Sequence, residues 1–175
     1  MKDPSHLGSQ PEAIRWNLGQ LAMSLRGICE AEPLIAAFNR FGELYEAAMA
    51  RRFCWRLGVR SRGQEADSAF IAEAERAMRT AGTGPDAFFF AHRGGRTAQG
   101  GLAQALAGYE PVASDHPYWQ GAAPQSMLIE EVEEIWAAIA ERDDWAPLES
   151  KVDALREMGR AHGEPPAPAG HLRAI

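Results

Sequence analysis

The stretch SQPEAIRWNLGQLA, residues 9–22, decides the fold class. Ser9 and Glu12 are three residues apart, the spacing of a capping box at the start of a helix. Apolar residues then recur every three or four positions, which is typical of one face of an α-helix. The stretch therefore predicts a helix that begins at residue 9 and packs this face into the core. The face consists of Ile14, Leu18, Leu21, Ala22, Leu25 and Ile28.

The same helical spacing continues through most of the chain. A second helix is predicted over residues 33–58, because it opens with a proline and closes with a glycine. Further helices are predicted over residues 65–80, from a cap at Ser126, and over residues 147–163. No segment of useful length shows the two-residue period of a strand. The pattern predicts an all-α fold, a single compact helical domain of about five main helices.

Glycines and prolines set the predicted boundaries of this domain. They leave room only for short helical pieces around residues 86–91 and 97–107. We expect an irregular amino-terminal arm over residues 1–8 and a helical domain over residues 9–163. A proline-rich irregular tail should follow over residues 164–175, because its prolines cannot continue a helix.

The composition narrows the class of protein. An apolar fraction of 46% and a charged fraction of 24% are ordinary globular values, which argue against disorder and against a membrane-embedded chain. The formal net charge of −6 disfavours binding to nucleic acid. No secretory or membrane-spanning stretch is visible in the sequence, so a cytoplasmic location without membrane partners is expected.

Neither the cysteines nor the histidines have the spacing of metal ligands. Cys29 and Cys54 fall within helical patterns and are interpreted as packed thiols in a reducing compartment. The five histidines, at positions 6, 92, 116, 162 and 171, show no pair at the spacing of helical zinc ligands. We predict no bound metal and no cofactor.

A glycine-rich run over residues 94–101 invites comparison with a phosphate-binding loop. The comparison fails because Gly101 and Leu102 stand where such a loop needs lysine and then serine or threonine. His92 and Arg93, just before the run, have two interpretations: a polar end to a buried aromatic turn, which we favour, or an anion-binding corner.

The remaining polar candidates are interpreted as structural. Asn17 adjoins the apolar face of the first helix, where a buried asparagine usually fixes packing. Four glutamates near the start of a helix favour its dipole and spread over a solvated face. We therefore predict no catalytic, cofactor-binding or metal-binding residue in the chain. The glutamates are Glu130, Glu131, Glu133 and Glu134.

Several of these strings together resemble one family. Residues 10–22 are similar to the QPxxxxWNLxxLA helix of the selenoprotein O (SelO, YdiU) family, and residues 41–58 resemble the helix that follows it. Residues 88–95 look like a variant of that family's aromatic FF-D-W-x-GG turn, with Ala91 and His92 in place of Asp and Trp. Residues 144–159 are similar to the terminal helix of some bacterial members.

The resemblance implies the helical carboxy-terminal part of a kinase-like protein that transfers AMP from ATP to protein serine, threonine or tyrosine hydroxyls. In that family the ATP-anchoring lysine, its glutamate partner and the metal-binding asparagine and aspartate precede the QPxxxxWNL helix. None has a matching position here, and residues 6–11 depart from the usual GRYxxxxQP string. The family's carboxy-terminal cysteine or selenocysteine motif is also missing.

Three hypotheses about function follow. The first is a truncated or separately encoded helical lobe of a SelO-like pseudokinase, without adenylyltransferase activity on its own. The second is an interaction module that forms a homo-oligomer or binds a separately encoded kinase-like half. The third is a small-molecule enzyme that uses His92, Arg93 and Arg96, provided that these side chains converge on one pocket.

Overall fold

The computed structural model describes residues 10–112 and 115–167. These residues form eight α-helices and, apart from one isolated bridge between Val59 and Pro111, no β-structure. The all-α prediction is therefore confirmed. Short 3-10 turns also cover Arg93–Gly95 and Pro117–Gln120. The helices are α1 (Gln10–Leu25), α2 (Ala31–Asn39), α3 (Phe41–Leu57), α4 (Gln64–Ala81), α5 (Pro85–Ala91), α6 (Gly100–Leu106), α7 (Ile129–Arg142) and α8 (Ala146–His162).

Two predicted helix boundaries are wrong. The single helix expected over residues 33–58 is two helices that meet at Arg40, where Asn39 and Gly42 are weak helix formers on either side of the break. Ser126 does not cap α7, whose N-cap is Leu128 without a side-chain hydrogen bond. Ser9, the predicted first cap, lies outside the described residues.

The chain divides into two compact units, whose described parts are residues 10–49 and residues 50–167. In the first unit α1 packs against α2, and a Cβ placed on Gly19 would lie 3.6 Å from the ring of Phe38. No described side chain of this unit is buried.

The prediction that the apolar face of α1 lies in the core is wrong. Ile14 and Leu21 are 46% and 53% exposed, Leu18, Ala22 and Leu25 are only partly buried, and Ile28 lies beyond the end of α1. Within its own unit α1 packs against α2, and Gly19, on the other side of the helix, makes that contact. Asn17, expected to be partly buried, is exposed as well.

The second unit contains a hydrophobic core built on aromatic rings. Phe53 makes edge-to-face contacts with Phe70, at 5.5 Å between ring centroids, and with Phe89, at 4.7 Å. Such pairs contribute about 0.5–1.5 kcal/mol beyond the area that they bury. A smaller cluster forms around Phe90 and Trp119. Among the described residues, no helix has the length and apolar character needed to cross a membrane.

Candidate functional site

Arg93 is the most deeply buried cation of the glycine-rich turn, with 7% of its surface exposed. Its Nη1 donates hydrogen bonds to the carbonyl oxygens of Trp55, at 2.8 Å, and Arg56, at 3.0 Å. These carbonyls belong to the last turn of α3, beyond which the regular helical N–H donors end, and the Trp55 carbonyl also accepts from the Gly58 amide at 3.1 Å. Arg93 therefore caps α3, and burial lowers the pKa of its guanidinium to about 10.

Gly58, immediately after α3, makes this cap possible. Its φ of +72° is in the left-handed region that favours glycine, and a Cβ placed there would lie 2.5 Å from the guanidinium carbon of Arg93. Both the backbone conformation and the approach of Arg93 thus require glycine at this position.

Arg96 and His92 also bind backbone groups. Arg96 donates to the carbonyl oxygens of Phe90, at 2.8 Å, and Trp119, at 3.0 Å. The Nδ1 atom of His92 lies 3.0 Å from the hydroxyl of Thr97, which donates to the Ala91 carbonyl. These contacts favour the interpretation of a polar end to an aromatic turn over that of an anion-binding corner.

No pattern in the sequence indicates that His162 joins this turn. The His162 ring lies 5.1 Å from that of Trp55 and 4.9 Å from that of Trp119, between ring centroids. Burial, and then the charges of Arg93 and Arg56, lower the pKa of His162 to about 4. The ring is therefore neutral near pH 7. Three side-chain atoms here have no hydrogen-bond partner within the described chain: Trp55 Nε1, Arg93 Nε and His162 Nδ1.

A second polar network lies in the core around Asp67, which is 2% exposed. Its carboxylate accepts hydrogen bonds from the Ser61 hydroxyl, the Arg62 amide at 3.0 Å and the Tyr109 hydroxyl at 2.8 Å. The network joins the loop before α4 to the segment after α6. Its partners are all part of the protein, so its role is to stabilise the fold.

The two cysteines differ from each other. Cys54 is buried, as predicted, and burial raises the pKa of its thiol to about 12. Cys29 lies beyond the end of α1 and is exposed, so the prediction of a packed helical thiol is wrong there. Within the part of the chain that the structure describes, no group of three or more histidine, cysteine or acidic side chains is placed to hold a metal ion.

Lys151 stands in a groove of about 450 Å³ between α7 and α8, lined by both polar and apolar residues. It is 8% exposed, and its ammonium group contacts Glu131 at 2.8 Å and Gln125 at 3.1 Å. Glu131 was predicted to belong to a solvated face, but its carboxylate is the partner of this buried cation. Glu130, Glu133 and Glu134 are exposed, as predicted.

A concave surface with an apolar lining lies between α1 and α2, with a volume of about 750 Å³. We call it the α1–α2 groove. Its floor is formed by Gly19 and Phe38, and its walls by Trp16, Met23 and Ile35, which are 65%, 67% and 58% exposed. Exposed apolar surface of this kind commonly marks a contact surface, so the α1–α2 groove is the candidate functional site.

The family model described as protein adenylyltransferase SelO matches residues 5–100, more than half of the chain. The chain belongs to the SelO family. The comparison with curated proteins and the comparison with solved structures each returned no match.

The SelO match includes the α1–α2 groove, and it includes Arg93 together with the end of α3 that it caps. It covers the three stretches within residues 10–95 that carry the sequence resemblance. The resemblance of residues 144–159 lies outside the SelO match, as do α7 and α8.

Proposed function

We propose that this chain is the helical carboxy-terminal part of a SelO-type adenylyltransferase. In this proposal it works by docking onto a kinase-like pseudokinase part and does not transfer AMP alone. The family activity, transfer of AMP from ATP to protein hydroxyls, then belongs to the assembled protein. One observation carries the proposal: α1 exposes apolar side chains on two opposite faces.

The two faces of α1 follow from helix geometry. Residues seven apart lie nearly in line along a helix, so Ile14 and Leu21 share one side of α1, while Trp16 and Met23 share the other. These four side chains are between 46% and 67% exposed. Exposed apolar surface on a helix commonly marks a contact with a partner. This supports a partner surface for the face formed by Ile14 and Leu21.

The arginines of the glycine-rich turn support the same proposal. AMP transfer from ATP needs cations and metal ions placed around the phosphates. Arg93 and Arg96 instead bind the carbonyl oxygens of Trp55, Arg56, Phe90 and Trp119. Helix capping and turn closure explain the positions of these arginines. We therefore expect the residues that bind the ATP phosphates to belong to another part of the protein.

The test compares the pure chain with the chain plus a separately produced kinase-like segment of a SelO protein. Calorimetry with ATP and a non-hydrolysable analogue, with Mg²⁺ and then Mn²⁺, should show no binding to the pure chain. Incubation of the pure chain with labelled ATP and a generic protein acceptor should give no AMP transfer. Binding of the kinase-like segment should be measurable by calorimetry.

A matched pair of variants locates this docking surface. Leu21→Asp places a charge on the proposed face and should abolish binding of the kinase-like segment. Ser68→Asp, at an exposed position of α4, adds the same charge away from α1 and should leave the binding unchanged. Robust AMP transfer by the pure chain would overturn the proposal.

A further inference from the structure

We propose that the α1–α2 groove binds the same groove of a second copy of this chain, through antiparallel pairing of the two α1 helices. This inference goes beyond the proposed function and concerns the opposite face of α1. It rests on the spacing, the charges and the central glycine of one stripe of residues.

The stripe consists of residues that line the groove at separations of four, three, four and three positions. An average spacing of 3.5 residues keeps side chains on one seam between two paired helices. Gly19 stands at its centre, seven residues from either end. The stripe is Glu12, Trp16, Gly19, Met23 and Arg26.

The charges at its two ends are opposite and equally distant from Gly19. In an antiparallel pair with a twofold axis at Gly19, Glu12 of each copy faces Arg26 of the other, which gives two ion pairs. A twofold interface requires a surface that is complementary to itself, and this stripe meets that requirement. A parallel pair would instead bring like charges together.

Both end groups are available for such a contact. Within the described part of the chain neither Glu12 nor Arg26 forms an ion pair. Arg15, the other cation at the groove, lies over the ring of Phe38, with 5.3 Å from its guanidinium carbon to the ring centroid. Arg15 is thereby directed toward α2 and does not oppose Arg26 of the second copy.

The central glycine also favours a close helix pair. Glycine inside a helix costs about 0.5–1 kcal/mol relative to alanine. Contact with Phe38 does not require it, because an added Cβ at 3.6 Å would be an ordinary van der Waals contact. The absent side chain keeps the floor of the groove, formed by Gly19 and the Phe38 ring, low enough to leave room for a second helix. On either side of Gly19, Trp16 of one copy then packs against Ala22 and Met23 of the other.

The experiment is sedimentation equilibrium of the full chain at low salt over a wide range of concentrations. The wild type should form a dimer. Glu12→Arg alone and Arg26→Glu alone each turn two attractive pairs into repulsive ones and should raise the dissociation constant about tenfold. The double variant Glu12→Arg/Arg26→Glu should restore the wild-type constant. Glu133→Arg, the same charge change on α7, should have no effect.

The result that overturns the inference is a wild type that stays monomeric, or a double variant no better than the single variants. If the charge variants weaken binding of the kinase-like segment instead, the groove belongs to that partner and the inference is also overturned. Leu21→Asp separates the two proposals, since it should block the kinase-like segment and leave the dimer intact. Loss of the dimer would not bear on AMP transfer.

Discussion

At the residue scale, the contact between Gly58 and Arg93 explains why α3 ends where it does. The left-handed backbone of Gly58 turns the chain, and the missing side chain leaves room for the guanidinium that binds the last carbonyls of the helix. The sequence predicts that the glycine at this position ends the helix. The buried arginine that fills the space comes from 35 positions further along the chain, and no local pattern indicates it.

Replacing Gly58 by alanine should therefore be unusually damaging. Gly58→Ala strains the backbone, which costs about 1–2 kcal/mol, and also displaces Arg93 from its two carbonyl partners. We expect the free energy of unfolding to fall by at least about 3 kcal/mol in urea titrations. Gly82→Ala is the matched control: its φ is +60°, but its Cβ would meet nothing within 4 Å. Equal losses in both variants would show that the Arg93 contact is unimportant.

His162 gives the fold a predicted dependence on pH. Its pKa is about 4 in the folded protein and about 6.5 in the unfolded chain, so between these values the unfolded chain binds more protons. The free energy of unfolding should thus be highest above about pH 6.5 and fall by up to about 3 kcal/mol as the pH drops through 4.

The measurement is chemical unfolding of the wild type and of His162→Phe at several pH values. Phenylalanine keeps a ring between Trp55 and Trp119 but cannot bind a proton, so its stability should fall less between pH 6.5 and pH 4. If the free energy of unfolding fell equally steeply with pH in the two proteins, the assignment to His162 would be wrong.

At the scale of the element, α7 and α8 are joined through Lys151. Lys151 is buried and Glu131 is partly exposed. Loss of Lys151 and loss of Glu131 should therefore lower the free energy of unfolding by different amounts. Glu131→Gln leaves a buried ammonium group with neutral acceptors only. We expect the free energy of unfolding to fall by about 1–2 kcal/mol. Lys151→Met removes the buried charge and keeps an apolar side chain, and water can reach the Glu131 carboxylate that remains. We therefore expect the free energy of unfolding to change by no more than about 0.5 kcal/mol.

Thermal unfolding of both variants tests this order. Glu133→Gln makes the same charge change on an exposed part of α7 and should have almost no effect. The double variant Glu131→Gln/Lys151→Met should be more stable than Glu131→Gln alone. A larger loss for Lys151→Met than for Glu131→Gln would contradict the argument.

The helices themselves were largely predictable from the sequence. The helix predicted over residues 65–80 is α4, Gln64–Ala81, and the helix predicted over residues 147–163 is α8, Ala146–His162. Periodicity extends over many residues in both, so a few exceptions do not hide it. The break at Arg40 was missed because the apolar pattern continues across it.

At the scale of the whole molecule, the position of the core could not be predicted. Every side chain that the structure describes as buried lies at or beyond Ala50. Periodicity identified an apolar face on α1 correctly, yet it does not reveal whether another element covers that face. For the same reason the α1–α2 groove could not be predicted: Trp16, Met23 and Ile35 are residue types that usually lie in a core, but here they are exposed.

This distribution of buried side chains has a consequence for the chain during its synthesis. Residues 10–49 leave the ribosome before any residue of the core, and translation of residues 50–167 takes roughly 6–24 s at about 5–20 residues per second. During that interval the nascent chain exposes Ile14, Leu21 and Ile28 with no core to collapse upon. A ribosome-associated chaperone, or a partner already folded nearby, would find its binding segment in residues 10–49 before the core has been synthesised.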